Sequence, residues 1–415
     1  MPHGSVPAVI RLTVDGRRVE VPPGSTILDA CRKLGVGIPT LCYHPRLPLA
    51  GACRVCMVAV EGSRVLVPSC ARAAEDGMVV TTQDGAKDAR QTVLELLLAD
   101  HPSPCKKTLV PEGCELENLA RAEGAVASRF ARTAQPREVD LSNAAIAFDP
   151  SACILCFRCV RACDDVQVNE VIGVQGRGFS GTIAFDLGDP MGKSSCVTCG
   201  ECVQACPTGA LVEKTVHALS APVSPARVDT VCPYCGVGCK ITYEVVGNAI
   251  LRGIGHEEGP ANRGRLCVKG RFGFDYTAHR ERLTTPLVRR EGVAKGPLGN
   301  RRVEDVFRPA SWDEALDLVA RRLATIKDRH GPTALAGFAS AKCTNEDNYV
   351  FQKWVRACLG TPHIDHCTRL CHASSVYALQ TALGTGSMTN AIDDIADAEV
   401  MLVTGSNTTE NHPVP

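Results

Sequence analysis

The sequence predicts a multidomain chain that combines α+β and α/β units, and three observations support this. At 415 residues the chain is longer than one core requires. Eighteen of its 23 cysteines fall into five blocks. One four-cysteine run, Cys153 to Cys163, recurs with the same spacing as Cys196 to Cys206.

The other blocks are Cys42, Cys53, Cys56 and Cys70; Cys232, Cys235, Cys239 and Cys267; and the pair Cys105 and Cys114. Thiolates at such spacings ligate iron–sulfur clusters, so the chain reads as a path for electrons. Its 45 basic and 45 acidic residues cancel, which gives no electrostatic case for nucleic acid or an anionic membrane. No apolar run approaches the roughly 18 residues of a membrane span. Residues 1–18 lack an apolar signal core, and Arg17-Arg18 sits inside a strand pattern, so an export signal is not expected. A cytoplasmic location follows as the expectation, with cysteines reduced and metal-bound.

Residues 1–84 form the first expected domain. Residues 9–14 and 18–21 alternate apolar and polar around Asp15-Gly16, a hairpin signal. Residues 26–34 predict a helix with Ser25 as N-cap, and 65–68 and 78–82 predict further strands. Cys31 falls in the helix and reads as core. Cys42, Cys53, Cys56 and Cys70 follow with gaps of ten, two and thirteen residues. This arrangement resembles the β-grasp ferredoxin domain in the variant that opens the large iron–sulfur subunit of respiratory complex I, and implies a 2Fe-2S cluster on those four cysteines. Small residues around Cys53 let backbone N–H groups reach the sulfurs.

Residues 85–140 predict a helical segment. A stripe of Val93, Leu94, Leu97 and Leu98 marks a helix over 91–100, which runs into His101, Cys105 and Cys114. Complex I and its relatives hold a cluster here on one histidine and three cysteines. His101, Cys105 and Cys114 stand at the matching spacings, but Thr108 occupies the remaining position, and a hydroxyl is a poor iron ligand. A labile or three-iron cluster and a site given over to packing both stay open.

Residues 141–220 hold the duplicated run, Cys153, Cys156, Cys159, Cys163 and Cys196, Cys199, Cys202, Cys206. It resembles the two-cluster bacterial ferredoxin, in which the last cysteine of each run serves the other cluster. The resemblance implies one 4Fe-4S cluster on Cys153, Cys156, Cys159 and Cys206, and a second on Cys196, Cys199, Cys202 and Cys163. All eight cysteines argue against the complex I subunit, which keeps one cluster in this module.

Residues 222–225 predict a linker. Over 226–282, Cys232, Cys235, Cys239 and Cys267 have gaps of two, three and twenty-seven residues. That pattern resembles the 4Fe-4S domain at the start of molybdenum or tungsten bis-pterin oxidoreductases. Gly236 and Gly238 would let the loop wrap the cluster, and Lys269 would lie between cluster and pterin. The expected clusters are therefore one 2Fe-2S and three 4Fe-4S, with a fourth only if the His101 site holds one.

Residues 283–415 predict the start of an α/β domain. Ser311 caps a helix to about 326, residues 335–339 predict a buried strand, 346–359 a second helix, and 400–404 an apolar strand. That last strand leads into Gly405, Ser406 and Asn407, a phosphate-cradling turn. Between them lies Cys371-His372. Together these segments resemble molybdopterin formate dehydrogenases, specifically the N-terminal part of the alpha (catalytic) subunit of the cytoplasmic, NAD-linked type. The resemblance implies that Cys371 ligates molybdenum or tungsten in a bis(molybdopterin guanine dinucleotide) cofactor, with His372 directly after it. Formate oxidation releases a proton, and the near-neutral imidazole of His372 suits it to take that proton. The resemblance also implies a flavin- and NAD-binding beta subunit and a small 2Fe-2S gamma subunit as partners. Arg369 is expected to be structural, and Cys343, Cys358 and Cys367 to be buried thiols. His363, His366 and His412 read as packing or surface residues. The family runs on past the position matching Pro415, so this chain is expected to be a fragment. The competing expectations are an electron-transfer subunit of the complex I type and a related molybdenum reductase with another small substrate.

Overall fold

Short elements separated by cysteine-bearing loops dominate the first two-thirds of the chain. A computed structural model describes residues 9–83, 85–125, 127–130 and 137–414. The stretch before Val9 and the expected boundary at residue 84 lie outside the described residues. Contacts divide the chain into two units, one running to Phe274 and including Asn407–Val414, the other covering Asp275–Ser406.

The first unit opens with antiparallel β1 (Ile10–Val14) and β2 (Arg17–Val21), which turn at Asp15 and Gly16, both at positive φ. The helix α1 (Ile27–Lys33) follows. Its N-cap is Thr26, not the expected Ser25. The Thr26 hydroxyl accepts from Asp29 N, and Thr26 N donates to the Asp29 carboxylate at 2.8 Å. Only a hydroxyl three residues before Asp29 can close that reciprocal pair, and Ser25 stands one residue too early. β3 (Met57–Val60), β4 (Val67–Pro68) and β5 (Val79–Thr81) complete a mixed sheet in the order β2-β1-β5-β3-β4, with β5 parallel to β1. Alternation along β1 and β2 buries Ile10, Leu12, Val14, Val19 and Val21 against Ile27, Ala30 and Cys31 of the helix. Cys31 is core, as expected.

The helix α2 (Gly85–Ala99) starts more than a turn before the expected 91. Buried Arg90 anchors the added turn by donating to Thr82 O at 2.7 Å and Met57 O at 3.2 Å, and it pairs with Glu123. A buried arginine carries no apolar signal, so periodicity misses it. α3 (Glu115–Glu123) packs with α2 around Leu94, Leu116, Ala120, Cys105 and Cys114.

The duplicated segment is framed by β6 (Ile146–Phe148), α4 (Arg158–Arg161), β7 (Ile172–Gln175), β8 (Thr182–Phe185), α5 (Glu201–Ala205) and β9 (Leu211–Glu213). β6 pairs with β9 and β7 with β8, both antiparallel. After α6 (Lys214–His217), an antiparallel sheet of β10 (Ala226–Val231), β11 (Lys240–Val246) and β12 (Ala249–Gly255) leads to α7 (Val268–Phe272).

The second unit pairs β13 (Leu287–Arg289) with β14 (Phe307–Pro309), and α8 (Val303–Val306) lies between them in sequence. α9 (Trp312–His330) starts at the expected Ser311 cap and runs a turn past 326. β15 (Gly337–Ala339) pairs in parallel with β16 (Ile364–His366), and α10 (Asn345–Trp354), α11 (Thr368–Cys371) and α12 (Ala373–Leu383) complete the unit. Its small core is Leu335, Val355 and Leu359.

Three expectations fail in this second unit. The strand expected over 335–339 pairs only from Gly337, and Phe338 is 84% exposed. Residues 400–404 form no strand, and Val400 and Leu402 are 88% and 90% exposed. An apolar run settles as an inner parallel strand only where neighbours cover its edges and faces, and among the described residues none does so here. Cys343, Cys358 and Cys367 are exposed thiols for the same reason, since the faces that carry them are uncovered. The last helical turn, α13 (Thr408–Asn411), belongs with the first unit. No helix of the described residues is long and apolar enough to cross a membrane.

The cap assignment has a direct test. Thr26→Ala is expected to cost about 1 kcal/mol, whereas Ser25→Ala stays within about 0.5 kcal/mol. Hydrogen exchange at the amides of α1 in urea distinguishes the two, and equal effects would return the cap to Ser25.

Candidate metal centres

The first quartet hangs on the loops between α1 and β3 and after β4. Cys42, Cys56 and Cys70 are buried and Cys53 is half-buried. Their thiols are hydrogen-bonded in a chain, Cys53 to Cys42 to Cys70 to Cys56. Cys42 is held far below the ordinary thiol range by the side chains of Cys53 and Cys70, with help from the N–H groups of Cys53 and Ala52. Cys70, which donates to Cys42 and Cys56, is pushed the other way. Cys42 N also points at Cys53 Sγ, 3.4 Å away. Four converging thiols with N–H groups aimed at sulfur suit a 2Fe-2S cluster.

Two arginines of α4 reach this loop. Arg161 Nη2 donates to Cys42 O at 2.7 Å and its Nη1 to Pro48 O. Arg158 Nη2 donates to Tyr43 O at 2.8 Å, and its Nη1 pairs with Glu115 at 2.9 Å. The neighbourhood is cationic enough that His44 is pushed down to about 4, by burial first and then by Arg158, Arg46 and Arg161. No residue pattern announces Arg158 and Arg161, because their targets are backbone carbonyls distant in sequence.

In the duplicated segment Cys153, Cys156, Cys159 and Cys206 line one small cavity. The Cys202 thiol lies in the field of Cys199, Cys196 and Cys163, so the last cysteine of each run stands beside the other run. Burial raises the Cys153 and Cys199 thiols to about 11 and Cys156 to about 12. Buried thiols of this kind keep their protons unless a metal replaces them. The repeat extends to the backbone. Leu155 and Phe157 have positive φ, as do Thr198 and Gly200 at the matching positions, and Leu155 N and Thr198 N each face the sulfur two residues back at 3.5 and 3.4 Å.

The fourth quartet closes between β10, β11 and α7. Cys232 N donates to Cys239 O at 2.9 Å, and Gly238 makes the loop's left-handed turn with φ +73°. Burial raises Cys239 to about 12, and Cys232, Cys235 and Cys267 add to the shift, so the four sulfurs share one site. Arg271 on α7 is 1% exposed and joins this site to the preceding one. It donates to Cys199 O at 2.8 Å and Gln204 Oε1 at 2.7 Å, and it pairs with buried Glu201 at 2.5 Å. Lys269, on the same helix, donates from Nζ to Glu410 O in α13 at 2.7 Å.

His101, Cys105 and Cys114 converge as their spacing suggests, and a residue that sequence reasoning missed joins them. The ligand atoms of His101, Cys105, Cys114 and Glu117 all lie within 4.8 Å of one another. Thr108, at the position where the resemblance calls for a cysteine, donates its hydroxyl to Glu117 Oε2 at 2.8 Å.

In the second unit Cys371 is an exposed thiol at the end of α11, and His372 links α11 to α12. Arg369 makes an exposed pair with Asp365 at 2.8 Å. Gly405 takes a left-handed φ of +62°. Asn407, grouped with the first unit, spends its amide on Glu410 Oε2 at 2.9 Å.

Comparison with known proteins agrees with this order of sites. Residues 8–85 match the 2Fe-2S iron-sulfur cluster binding domain family, and residues 152–210 the 4Fe-4S dicluster domain. Residues 225–279 match the molybdopterin oxidoreductase Fe4S4 domain, and 282–415 the molybdopterin oxidoreductase family. A Bacillus subtilis protein named "Putative formate dehydrogenase YrhE" is 34% identical over 98% of the chain. The NADPH-Fe(3+) oxidoreductase subunit alpha of Geobacter sulfurreducens is 35% identical over 96%. A subunit of the NADH-quinone oxidoreductase of Rhizobium meliloti is 34% identical over 98%. The chain spans 44% to 45% of the length of these relatives.

The Arg271 joint yields a prediction. Arg271→Ala leaves Glu201 as an unpaired buried carboxylate and is expected to destabilise by about 3–5 kcal/mol. Adding Glu201→Gln should restore much of that loss. Guanidinium titrations of the two variants measure the difference, and an equal loss in both would show that packing, not charge, sets the effect.

Proposed function

We propose that this chain, a molybdopterin oxidoreductase with iron–sulfur domains, oxidises formate to carbon dioxide and passes the electrons through its cysteine quartets to a flavin- and NAD-binding partner. The observation that carries this reading is the Cys371-His372 pair downstream of the Cys232 to Cys267 quartet. Cys371 presents an exposed thiol, and a soft thiolate suits molybdenum or tungsten in a sulfur-rich shell. When bound, a molybdenum or tungsten bis(molybdopterin guanine dinucleotide) centre accepts two electrons. His372 lies beside that ligand and would hold the proton formate gives up on a ring nitrogen, a task imidazole performs in many enzymes. Gly405, Ser406 and Asn407 would cradle a cofactor phosphate. Lys269 ties the helix after Cys267 to the segment beginning at Asn407, where its cation would sit beside the anionic cofactor.

Electrons would then leave one at a time by way of Cys232 to Cys267, the duplicated quartets, and Cys42 to Cys70. The proposed divisions are 1–84, 85–140, 141–220, 226–282 and 283–415, each but the second ending its own stage of the path. Relatives named as an alpha subunit and as part of an NADH-quinone oxidoreductase support a partner that accepts the electrons. The NADH-quinone oxidoreductase relative also favours a second reading, an electron-transfer subunit without chemistry of its own.

The two readings part on addition of formate. With the native complex kept anaerobic, formate is expected to bleach the iron–sulfur absorbance. Cys371→Ala should abolish that bleaching and leave bleaching by dithionite intact. His372→Gln should slow turnover by about 10²–10⁴-fold. If dithionite bleaches and formate does not, molybdenum or tungsten in the native complex points to another small substrate, and neither metal points to the electron-transfer reading.

A further inference from the structure

We propose that His101, Cys105, Cys114 and Glu117 bind one zinc(II) ion in place of an iron–sulfur cluster. The donor set is one imidazole nitrogen, two thiols and one carboxylate oxygen, all within 4.8 Å of each other. His101 Nε2 lies 3.4 Å from Cys114 Sγ and 4.0 Å from Glu117 Oε1. Ligands about 2.0–2.3 Å from a tetrahedral ion stand about 3.3–3.8 Å apart, so the side chains need only a small contraction to close on one ion. A cluster spreads its thiolates over several irons and holds them farther apart. Among the described residues none of the four cysteine quartets contracts to this spacing.

The site is built, not incidental. Cys105 and Cys114 are fully buried and His101 is 7% exposed. Glu117 stands at the third position of α3 and is held from both sides. Thr108 Oγ1 donates to its Oε2 at 2.8 Å, and Cys105 N donates to its Oε1 at 3.3 Å. Oε1 is also the oxygen that faces His101. Thr108 thus acts as the positioning residue for a carboxylate ligand at the place where a cysteine would serve a cluster. Gly209, from the duplicated segment, donates its N–H to Cys105 Sγ at 3.0 Å. A Cβ at Gly209 would lie 2.6 Å from that sulfur, so only glycine permits the approach.

Charge and donor chemistry select the ion. Zinc would replace the thiol protons of Cys105 and Cys114, and its charge would then be balanced in the dry pocket by two thiolates and a carboxylate. Zinc accepts nitrogen, sulfur and oxygen donors together in tetrahedral geometry and has no redox chemistry. The ion would therefore fasten the 101–117 segment against Gly209 and carry no electrons.

Metal analysis of the native complex tests this. About one zinc per chain is expected beside the iron. Cys114→Ser and Glu117→Gln should each lose the zinc with iron unchanged. Thr108→Ala should lower zinc retention against a chelator by about 10–100-fold, the effect of removing a residue that orients a ligand. Cobalt(II) loaded in place of zinc should give thiolate-to-cobalt absorption that Cys105→Ser removes. Absence of zinc from the native complex overturns the proposal. So does loss of about four irons and of a paramagnetic cluster signal in Cys114→Ser, which would assign a 4Fe-4S cluster.

Discussion

Three guanidinium groups donate to backbone carbonyls in the cysteine loops and tie each loop to a segment distant in sequence. Arg161 bonds Cys42 O, Arg158 bonds the adjacent Tyr43 O, and Arg271 bonds Cys199 O. Electron tunnelling falls steeply with distance, so a path made of several sites works only if the joints between domains do not slide. Guanidinium suits such joints, because its planar fork binds several acceptors at once and loses little freedom in doing so. Each of these arginines also brings positive charge to a loop whose thiolates are negative when metallated. One residue type thereby serves both rigidity and charge balance. The cost is burial of the charge, met at Arg271 by Glu201 and at Arg158 by Glu115.

Much of the first unit is legible in the sequence because cysteine spacing and strand alternation are local signals. The hairpin at Asp15-Gly16, the helix holding Cys31, the order of ferredoxin sites and the domain that follows them can all be read without contacts. The backbone of the duplicated loops cannot. Leu155, Phe157 and Thr198 adopt left-handed φ values that ordinary side chains avoid at a cost of about 1–2 kcal/mol. Of the four positions only Gly200 advertises its conformation. The strain places an N–H against a sulfur in each copy, so it belongs to the site, and the surrounding packing sustains it.

Other departures have separate causes. Thr26 and Ser25 are both good caps, and only the partner at Asp29 decides between them. Arg90 extends α2 through polar contacts to two carbonyls, which no apolar periodicity records. Composition alone places the apolar run 400–404 and the thiols of Cys343, Cys358 and Cys367 in an interior. Burial depends on what covers a segment, and the described residues do not cover these. Glu117 is hidden for a different reason. An acid in the first turn of a helix reads as a partner of the helix dipole, and cluster spacings draw attention to sulfur. Thr108 looks like the loss of a ligand when its hydroxyl in fact turns a carboxylate toward the other three donors.

That exchange bears on the proposed electron path through the first unit. With a redox-silent ion at His101 to Glu117, that proposed path would run directly between the duplicated sites and the Cys42 loop. Arg158 marks where the two meet, since its guanidinium touches Tyr43 O beside Cys42, Ala205 O beside Cys206, and Glu115 beside Cys114. Lys107, from the turn after Cys105, adds a bond to Cys206 O. The 101–117 segment therefore packs against both cluster loops without having to conduct. An ion that fixes this segment would steady the contacts that Arg158 and Lys107 make beside Cys42 and Cys206, and so bear on the proposed transfer without a redox role of its own.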